Sequence, residues 1–520
     1  MPNSEASCFR LPSNTELDSL TARTDMPYRM AAGHPFVIEQ TYLDSFDWRL
    51  HAKGWRLYHE HGSDLDFWVL STPQRTMRTA APPDTNPPLF VADLPANIAR
   101  KLTGTLETRA LLPVAKTRIN RTPIDCLNAD DKTVARLNVD RIEIREDRHG
   151  PWRALEIRYR LIHLKGYDKP FRRLRHFLCE AGSAIPCPDD LLVACLRRLE
   201  VEPGRYSARP RIKLAPDTRS DQAMKTVLAA LHGIMSENLD GILKDIDSEF
   251  LHDFRTATRR ARTALGQIRQ VFPSRKTEWM SANLAWLGTV TTPLRDLDVH
   301  LIDFPVYRDR LPESLRPAFD PLHDILKLRR LNALSRLQRI LKGHRYQRFM
   351  KDWQAFLELP SPEHTRLGNA HQAIGIACGR RIHKRYDRIC AEGLVIDDQS
   401  PPEALHELRK HCKKLRYLLE LFESCLPSPG PGRIVAALKR LQDLLGDYQD
   451  CHVQAVALDG FKAELVAEDA PLAAAIDYLL ADLDKRQTRL RDAFHPTIEA
   501  FASAGNRSRL HALTTPLLNN

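Results

Sequence analysis

The chain has 520 residues and a mass of 59.4 kDa, with 77 Lys and Arg against 66 Asp and Glu, a net charge of +11 and a pI near 9.2. That length predicts two to four domains, and the basic balance points to a polyanionic partner (nucleic acid, polyphosphate or an anionic membrane face) without choosing among them. Ten cysteines without a C-x-x-C pair, no basic start followed by an apolar run, and no apolar stretch near the ~18 residues of a membrane span argue against a disulfide framework, a signal peptide and a spanning helix, and predict a soluble cytoplasmic protein with free thiols.

In chain order, the first two hundred residues read as strands. VARLNVDRIEI and RALEIRYRLIHL alternate apolar and polar residues, and a proline-rich loop occupies 71–88. The segment EPGRYSARPRIKLAPDTRSDQ, rich in Pro, Arg and Gly, reads as a linker over 203–220. From 221 onward the pattern is helical, punctuated at Phe272-Pro273, Leu311-Pro312, Leu359-Pro360, Pro401-Pro402 and 427–432. The predicted domains are 1–202, a linker at 203–220, a helical domain at 221–505 and a tail at 506–520.

The helical part repeats itself. FLHDFRTATRRART and ALHELRKHCKKLRY share one skeleton, so that His252, Arg255, Arg259, Arg260 and Arg262 map onto His406, Arg409, Lys413, Lys414 and Arg416. The offset is 406 − 252 = 154, and it also carries Leu265 to Leu419, Leu287 to Leu441, Asp296 to Asp450 and Val299 to Val453. One register without a gap from 252 to 299 predicts two homologous halves, about 221–355 and 365–505.

At about 100° per residue, Arg255, Arg259 and Arg262 fall within about 80° of His252 on one side of a helix, and Arg260 lies about 80° away on the other. Phe250, Phe254, Ala261, Leu265 and Ile268 gather opposite, as do Leu408, Leu415, Leu418, Leu419 and Phe422 in the second copy. Each helix is therefore amphipathic with a polar face of one sign. A solvated face ordinarily mixes signs, and like charges at i,i+4 repel. A polyanion removes that repulsion, and guanidinium forks suit phosphate oxygens. Lys410 and Tyr417 adjoin the second array. Arg381, Lys384 and Arg388, with Arg339 and Arg345, offer an extended cationic surface. His252 and His406 could bind an anion or a metal, or orient an arginine; two histidines without further ligands do not make a metal site. Asp296 and Asp450 are candidates for fixing the arginines.

The twice-repeated H-x-x-R-x-x-x-[RK]-[RK]-x-R pattern resembles the CHAD domain (conserved histidine α-helical domain). The resemblance implies two four-helix bundles related by a pseudo-twofold axis, with the matching basic residues lining a surface that binds inorganic polyphosphate, and an association with polyphosphate granules. The first part resembles the CYTH or triphosphate tunnel metalloenzyme domain, on TYLDSFDWRLHAKGWRL, KTRINR, LNVDRIEI and RALEIRYRL. That implies an antiparallel β-barrel with a central tunnel, so the expected class is α+β multidomain. The family's E-x-E-x-K strand is here EASCFRL, keeping Glu5 but with Ser7 and Phe9 in place of the second acid and the lysine. Tyr58 and Glu60 replace two arginines, and the late E-x-E pair reads Glu156 and Arg158. Mg²⁺ takes oxygen ligands, so these departures predict a barrel without catalysis. Lys116, Arg118 and Arg121 remain as candidate anion contacts. The leading expectation is a non-catalytic polyphosphate-binding protein without cofactor. Open beside it stand an inorganic triphosphatase acting through the tunnel, and a nucleic-acid-binding protein, although no aromatic stacking pattern accompanies the basic residues.

Overall fold

The structure is a computed structural model that describes residues 6–10, 26–63, 65–81, 87–145, 150–180, 184–187, 190–428, 430–465 and 470–518. Glu5 lies outside the described residues. The chain divides into two compact units, 1–207 and 208–520.

The first unit is an antiparallel sheet of ten strands: β1 (Ala6–Arg10), β2 (Arg29–Ala32), β3 (Phe36–Ser45), β4 (Arg56–Gly62), β5 (Leu65–Ser71), β6 (Thr76–Ala80), β7 (Leu111–Leu127), β8 (Thr133–Arg145), β9 (Arg153–Ile162) and β10 (Ile185–Pro186). Three helices join it, α1 (Ala96–Leu106), α2 (Asp168–Glu180) and α3 (Leu191–Arg198). Alternation sends successive side chains to opposite faces. Phe9, Leu137, Val139, Tyr159 and Leu161 form one face and pack on Phe171, Leu174 and Leu178 of α2. Tyr42, Ala115 and Ile144 belong to the other and are covered by Leu192, Cys195 and Leu196 of α3.

The expected closed barrel is corrected here. The strands follow an open path, β10-β1-β9-β8-β7-β3-β4-β5-β6, with β2 pairing β7 off that path. One end of the path is β10, two residues long and ending in Pro186, which has no N–H to continue a ladder. β6, the other end, is five residues long with alternate side chains exposed.

The second unit contains α4 (Ser220–Leu243), α5 (Ser248–Gln267), α6 (Ser274–Arg310), α7 (Arg316–Lys342), α8 (His344–Glu358), α9 (Ile374–Leu394), α10 (Pro402–Leu421), α11 (Gly432–Leu465), α12 (Ala470–Asp492), α13 (Phe494–Phe501) and α14 (Ala504–Leu518). The repeat is visible in the elements: α5 and α10 start and end at the same offset, 402 − 248 = 154 and 421 − 267 = 154. α7 and α12 start at it too, 470 − 316 = 154. The helix boundaries fall where Pro and Gly punctuate the sequence, at Ser274, Leu311, Leu359, Pro402 and Gly432.

Two expectations change. The halves are not separate four-helix bundles, because five helices stand in the first and six in the second among the described residues. One apolar core is shared between them: Phe304 and Tyr307 of α6 and Phe319, Leu322 and Leu326 of α7 pack with Cys451, Leu458 and Phe461 of α11 and Leu472, Ile476, Leu479 and Leu483 of α12. The long α6 and α11 extend past their own halves to build it. The segment 506–518, expected as a tail, is helical and buries Leu510, Leu513, Thr514 and Leu517.

Part of the proline-rich segment expected as a linker is held on the helical unit. Leu214 N–H donates to Ser424 Oγ at 2.9 Å, Ile374 N–H to Thr218 O at 2.8 Å and Gly375 N–H to Pro216 O at 2.8 Å. A Cβ at Gly375 would stand 2.9 Å from Pro216 O, so this close approach requires glycine.

Candidate functional site

Helix α5 is capped by Asp247, whose carboxylate accepts from Glu249 N–H at 2.9 Å and Phe250 N–H at 3.3 Å. Helix α10 opens on Pro402 at its first turn. The apolar poles read from the sequence are buried as expected: Phe250, Phe254, Ala261, Leu265 and Ile268 in α5, and Leu408, Leu415, Leu418, Leu419 and Phe422 in α10. Their burial fixes the rotation of both helices about their axes, and with it the direction of the basic face.

The two helices pack on each other, and a cationic cluster forms across them from Arg255, Arg259, Arg409 and Lys413. Arg255 is half-buried and anchored on α6, its Nη1 donating to Gly288 O at 3.0 Å, Thr291 Oγ1 at 2.6 Å and Thr292 Oγ1 at 3.1 Å. Arg259 Nη2 donates to Thr256 Oγ1 at 3.1 Å. Arg409 Nη2 reaches Asp450 at 3.4 Å. The Nε atoms of Arg259 and Arg409 are buried and have no hydrogen-bond partner among the described residues.

The electrostatics record the crowding. Burial, and then the adjacent Arg409 and Arg259, push Lys413 down to about 8, with Asp450 opposing. Burial and Arg259 push Arg255 down to about 10, with Asp296 opposing. Asp296 is itself raised by burial, against the pull of Arg255. Asp296 and Asp450 are the carboxylates that oppose these shifts, but they do not balance the cluster: among the described residues Arg255, Arg259, Arg295, Arg409 and Lys413 are set against them.

Other expected site residues lie elsewhere or are spent. Arg260 is buried; it donates to Ala208 O, pairs with Glu420 at 2.8 Å and lies over the Tyr417 ring at 5.6 Å. Arg260 and Tyr417 therefore join α5 to α10 and are withdrawn from the anion-contact set. Arg416 pairs with Glu420 at 2.6 Å and Lys410 with Glu407 at 2.6 Å. Arg262 is exposed. His406 Nδ1 lies 2.7 Å from Gln449 Oε1, and His252 is half-buried. Among the described residues no group of three or more His, Cys, Asp or Glu could hold a metal ion.

Lys414 belongs to a second basic group, where burial first and then Arg385, Lys410 and Arg388 lower it, against the pull of Glu407. Arg381 neighbours Arg385 there, Lys384 is exposed on the same helix, and Arg388 pairs with Glu392 at 2.5 Å. Arg339 bonds its own helix at Ser335 O, and Arg345 stacks on Trp286 at 4.0 Å.

Residues not singled out from the sequence also matter. Gly288, Thr291 and Thr292 seat Arg255, and Glu420 is shared by Arg260 and Arg416. Gln267 was likewise unread: its Oε1 accepts at 2.7 Å from Arg385, which belongs to the basic run GRRIHKRYDR already legible in the sequence.

On the sheet, the three candidate anion contacts are paired. Lys116 and Arg118 both bind Glu39, at 3.0 and 3.2 Å, and Arg121 binds Asp140 at 2.6 Å. Glu156 pairs with Arg158 at 2.5 Å and Arg10 at 3.2 Å, and Glu60 with Arg78 at 2.8 Å. With these carboxylates of the two sheet faces engaged by cationic side chains, the described residues of the sheet do not fit Mg²⁺.

Residues 226–459, a little under half of the chain, match the family model described as the CHAD domain. The crystal structure of the CHAD domain from the plant Ricinus communis is 22% identical, covers 56% of this chain and 96% of its own, and superposes with a TM-score of 0.46. The uncharacterized protein Rv2226 of Mycobacterium tuberculosis is 25% identical over 303 residues, 58% of this chain. The match spans 55% of that protein, so the chain covers about half the length of the curated relatives it matches. A putative adenylyl cyclase of Hippeastrum, HpAC1, titled for a dominant triphosphatase activity, covers 39% of this chain at 13% identity and a TM-score of 0.27. Among the described residues no helix is long and apolar enough to cross a membrane.

Proposed function

We propose that the protein binds inorganic polyphosphate, without catalysis, through the cationic cluster of α5 and α10. The supporting observation is the convergence of Arg255, Arg259, Arg409 and Lys413, with Lys413 held down to about 8 by burial and its neighbours. A chain of phosphates supplies the missing negative charge at regular spacing, and gives the buried Nε donors of Arg259 and Arg409 their acceptors. The second basic group, Arg381, Arg385, Arg388 and Lys414, offers further contacts to the same kind of ligand. Residence on polyphosphate granules is a part of this proposal that imaging with a polyphosphate dye would test.

Filter binding against long-chain polyphosphate tests the reading. Replacing Arg255, Arg259, Arg409 and Lys413 together by alanine is expected to weaken binding by at least about a hundredfold, since each charge-assisted contact contributes about 1.5–3 kcal/mol. Equal binding by parent and variant would refute it. Duplex DNA is expected to displace polyphosphate poorly; efficient displacement favours nucleic acid as the ligand. Phosphate release from tripolyphosphate with Mg²⁺ or Mn²⁺ would favour the triphosphatase reading.

A further inference from the structure

Cys8 on β1 and Cys187, which follows β10, form a second chemical feature. β1 and β10 are antiparallel, with Phe9 opposite Pro186 and Arg10 opposite Ile185. Continuing that register by one step sets Cys8 against Cys187, and Cys187 N–H donates to Cys8 O at 2.9 Å. Opposed residues in such a ladder have Cα atoms about 4.5–5.5 Å apart, inside the range a disulfide spans. Both cysteines are free and partly exposed. Two other neighbouring pairs exist, Cys378 with Cys425 and Cys390 with Cys412, but all four of those thiols are buried on the helical unit.

We propose that Cys8 and Cys187 are a reversible dithiol–disulfide site, oxidised by a small-molecule disulfide such as glutathione disulfide, which fastens the open edge of the sheet. Burial, and then the Cys187 sulfur, push the Cys8 thiol up to about 11, while Arg158 and Arg160 oppose. Cys8 therefore keeps its proton, and the first attack is assigned to Cys187. The Cys187 thiolate displaces one glutathione thiolate and forms a mixed disulfide. The Cys8 thiol then loses its proton and attacks the Cys187 sulfur, releasing the second glutathione. Two protein thiols lose two hydrogens, and one glutathione disulfide becomes two glutathiones.

The position gives the bond a consequence. Asp190, three positions after Cys187, pairs its carboxylate with Arg56 at 2.5 Å and caps α3, which covers Tyr42, Ala115 and Ile144. A disulfide ties β1 covalently to the chain three positions before that cap.

Peptide mapping without reductant, after incubating the full chain with glutathione disulfide, tests the site. The expected product is a Cys8–Cys187 linked peptide lighter by two hydrogens than its two parts, restored by dithiothreitol. Cys8→Ser should trap glutathione on Cys187, and Cys187→Ser should leave Cys8 unmodified. A glutathione adduct on Cys187 of the parent that never resolves would overturn the proposal. So would linkage of Cys8 to another cysteine, or two free thiols after the partly exposed Cys179 has reacted. The parent chain alone gives the deciding result should either variant fold poorly.

Discussion

The chain builds with arginine twice, and the two regions solve opposite problems. In the sheet most strand arginines are in direct contact with a carboxylate: Arg121 and Arg160 share Asp140, Arg158 and Arg10 share Glu156, and Arg78 holds Glu60. Across α5 and α10, Arg255, Arg259, Arg409 and Lys413 crowd together, with Asp296 and Asp450 opposing them. The first arrangement sets its guanidinium groups directly on carboxylates; the second leaves positive charge and the buried Nε donors of Arg259 and Arg409 uncompensated. The count of arginines is therefore a poor guide to ligand binding. What separates the regions is the number of carboxylates that the fold delivers to each one.

The largest effect that tests this contrast lies in the sheet. Asp140 has a fully buried side chain and holds two guanidinium groups, at 2.6 and 3.0 Å. Asp140→Ala leaves both without their partner, and breaking a buried pair by removing one side costs about 3–5 kcal/mol. Chemical denaturation should show that loss, while filter binding of polyphosphate by the folded variant stays at the parent value. A loss of binding equal to that of the cluster variant would make the sheet part of the site.

Next comes Arg259→Ala, expected to weaken polyphosphate binding by about ten- to a hundredfold, one charge-assisted contact of about 1.5–3 kcal/mol. The slope of log affinity against log salt should flatten by about one unit as one phosphate contact is lost. An unchanged slope would place Arg259 off the ligand's path.

Much of this contrast could be read from the sequence, and the unread part has one physical cause. The 154-residue register, the apolar poles and the helix breaks are local patterns, so α5, α10 and their basic faces were legible. The pairing of each arginine is a tertiary fact. Arg260 and Lys414 occupy equivalent positions in the repeat, yet Arg260 is buried against Glu420 and Tyr417 while Lys414 sits among cations. Nothing within eleven residues of Arg260 announces Glu420, 160 positions away. Arg121 looked available for the same reason, since its partner Asp140 lies on the neighbouring strand. The open path of the sheet was unread because closure depends on what its two end strands meet, which strand periodicity does not specify.

A tenfold effect of pH follows from Lys413. In the free protein its ammonium titrates at about 8 instead of the ordinary 10.5. A bound polyanion raises that value, so binding takes up a proton above pH 8 and affinity falls as pH rises. One proton gives roughly a tenfold loss between pH 7 and 9. Stability of the free protein runs the other way over the same window. The unfolded chain holds the proton more tightly than the folded one, so folding gains as pH climbs from 8 toward 10.5. Lys413→Arg, which stays charged, should remove the pH dependence of affinity while keeping affinity near the parent's at pH 7. A pH slope that survives the substitution would assign the proton to another group.

The smallest expected effect belongs to Arg345, and it is informative because it is small. Arg345 was expected on the anion surface, but its guanidinium is engaged over the Trp286 ring at 4.0 Å, on the same helix α6 that seats Arg255. An exposed cation–π contact contributes about 0.5–1 kcal/mol, so Arg345→Ala should cost that much stability. Removing one exposed charge that is already held on a ring, and screened by solvent over about 8–10 Å, should change polyphosphate affinity by less than about twofold. If affinity instead falls tenfold, the ligand runs well beyond α5 and α10, and the unit of recognition is the whole basic surface and not the crowded cluster.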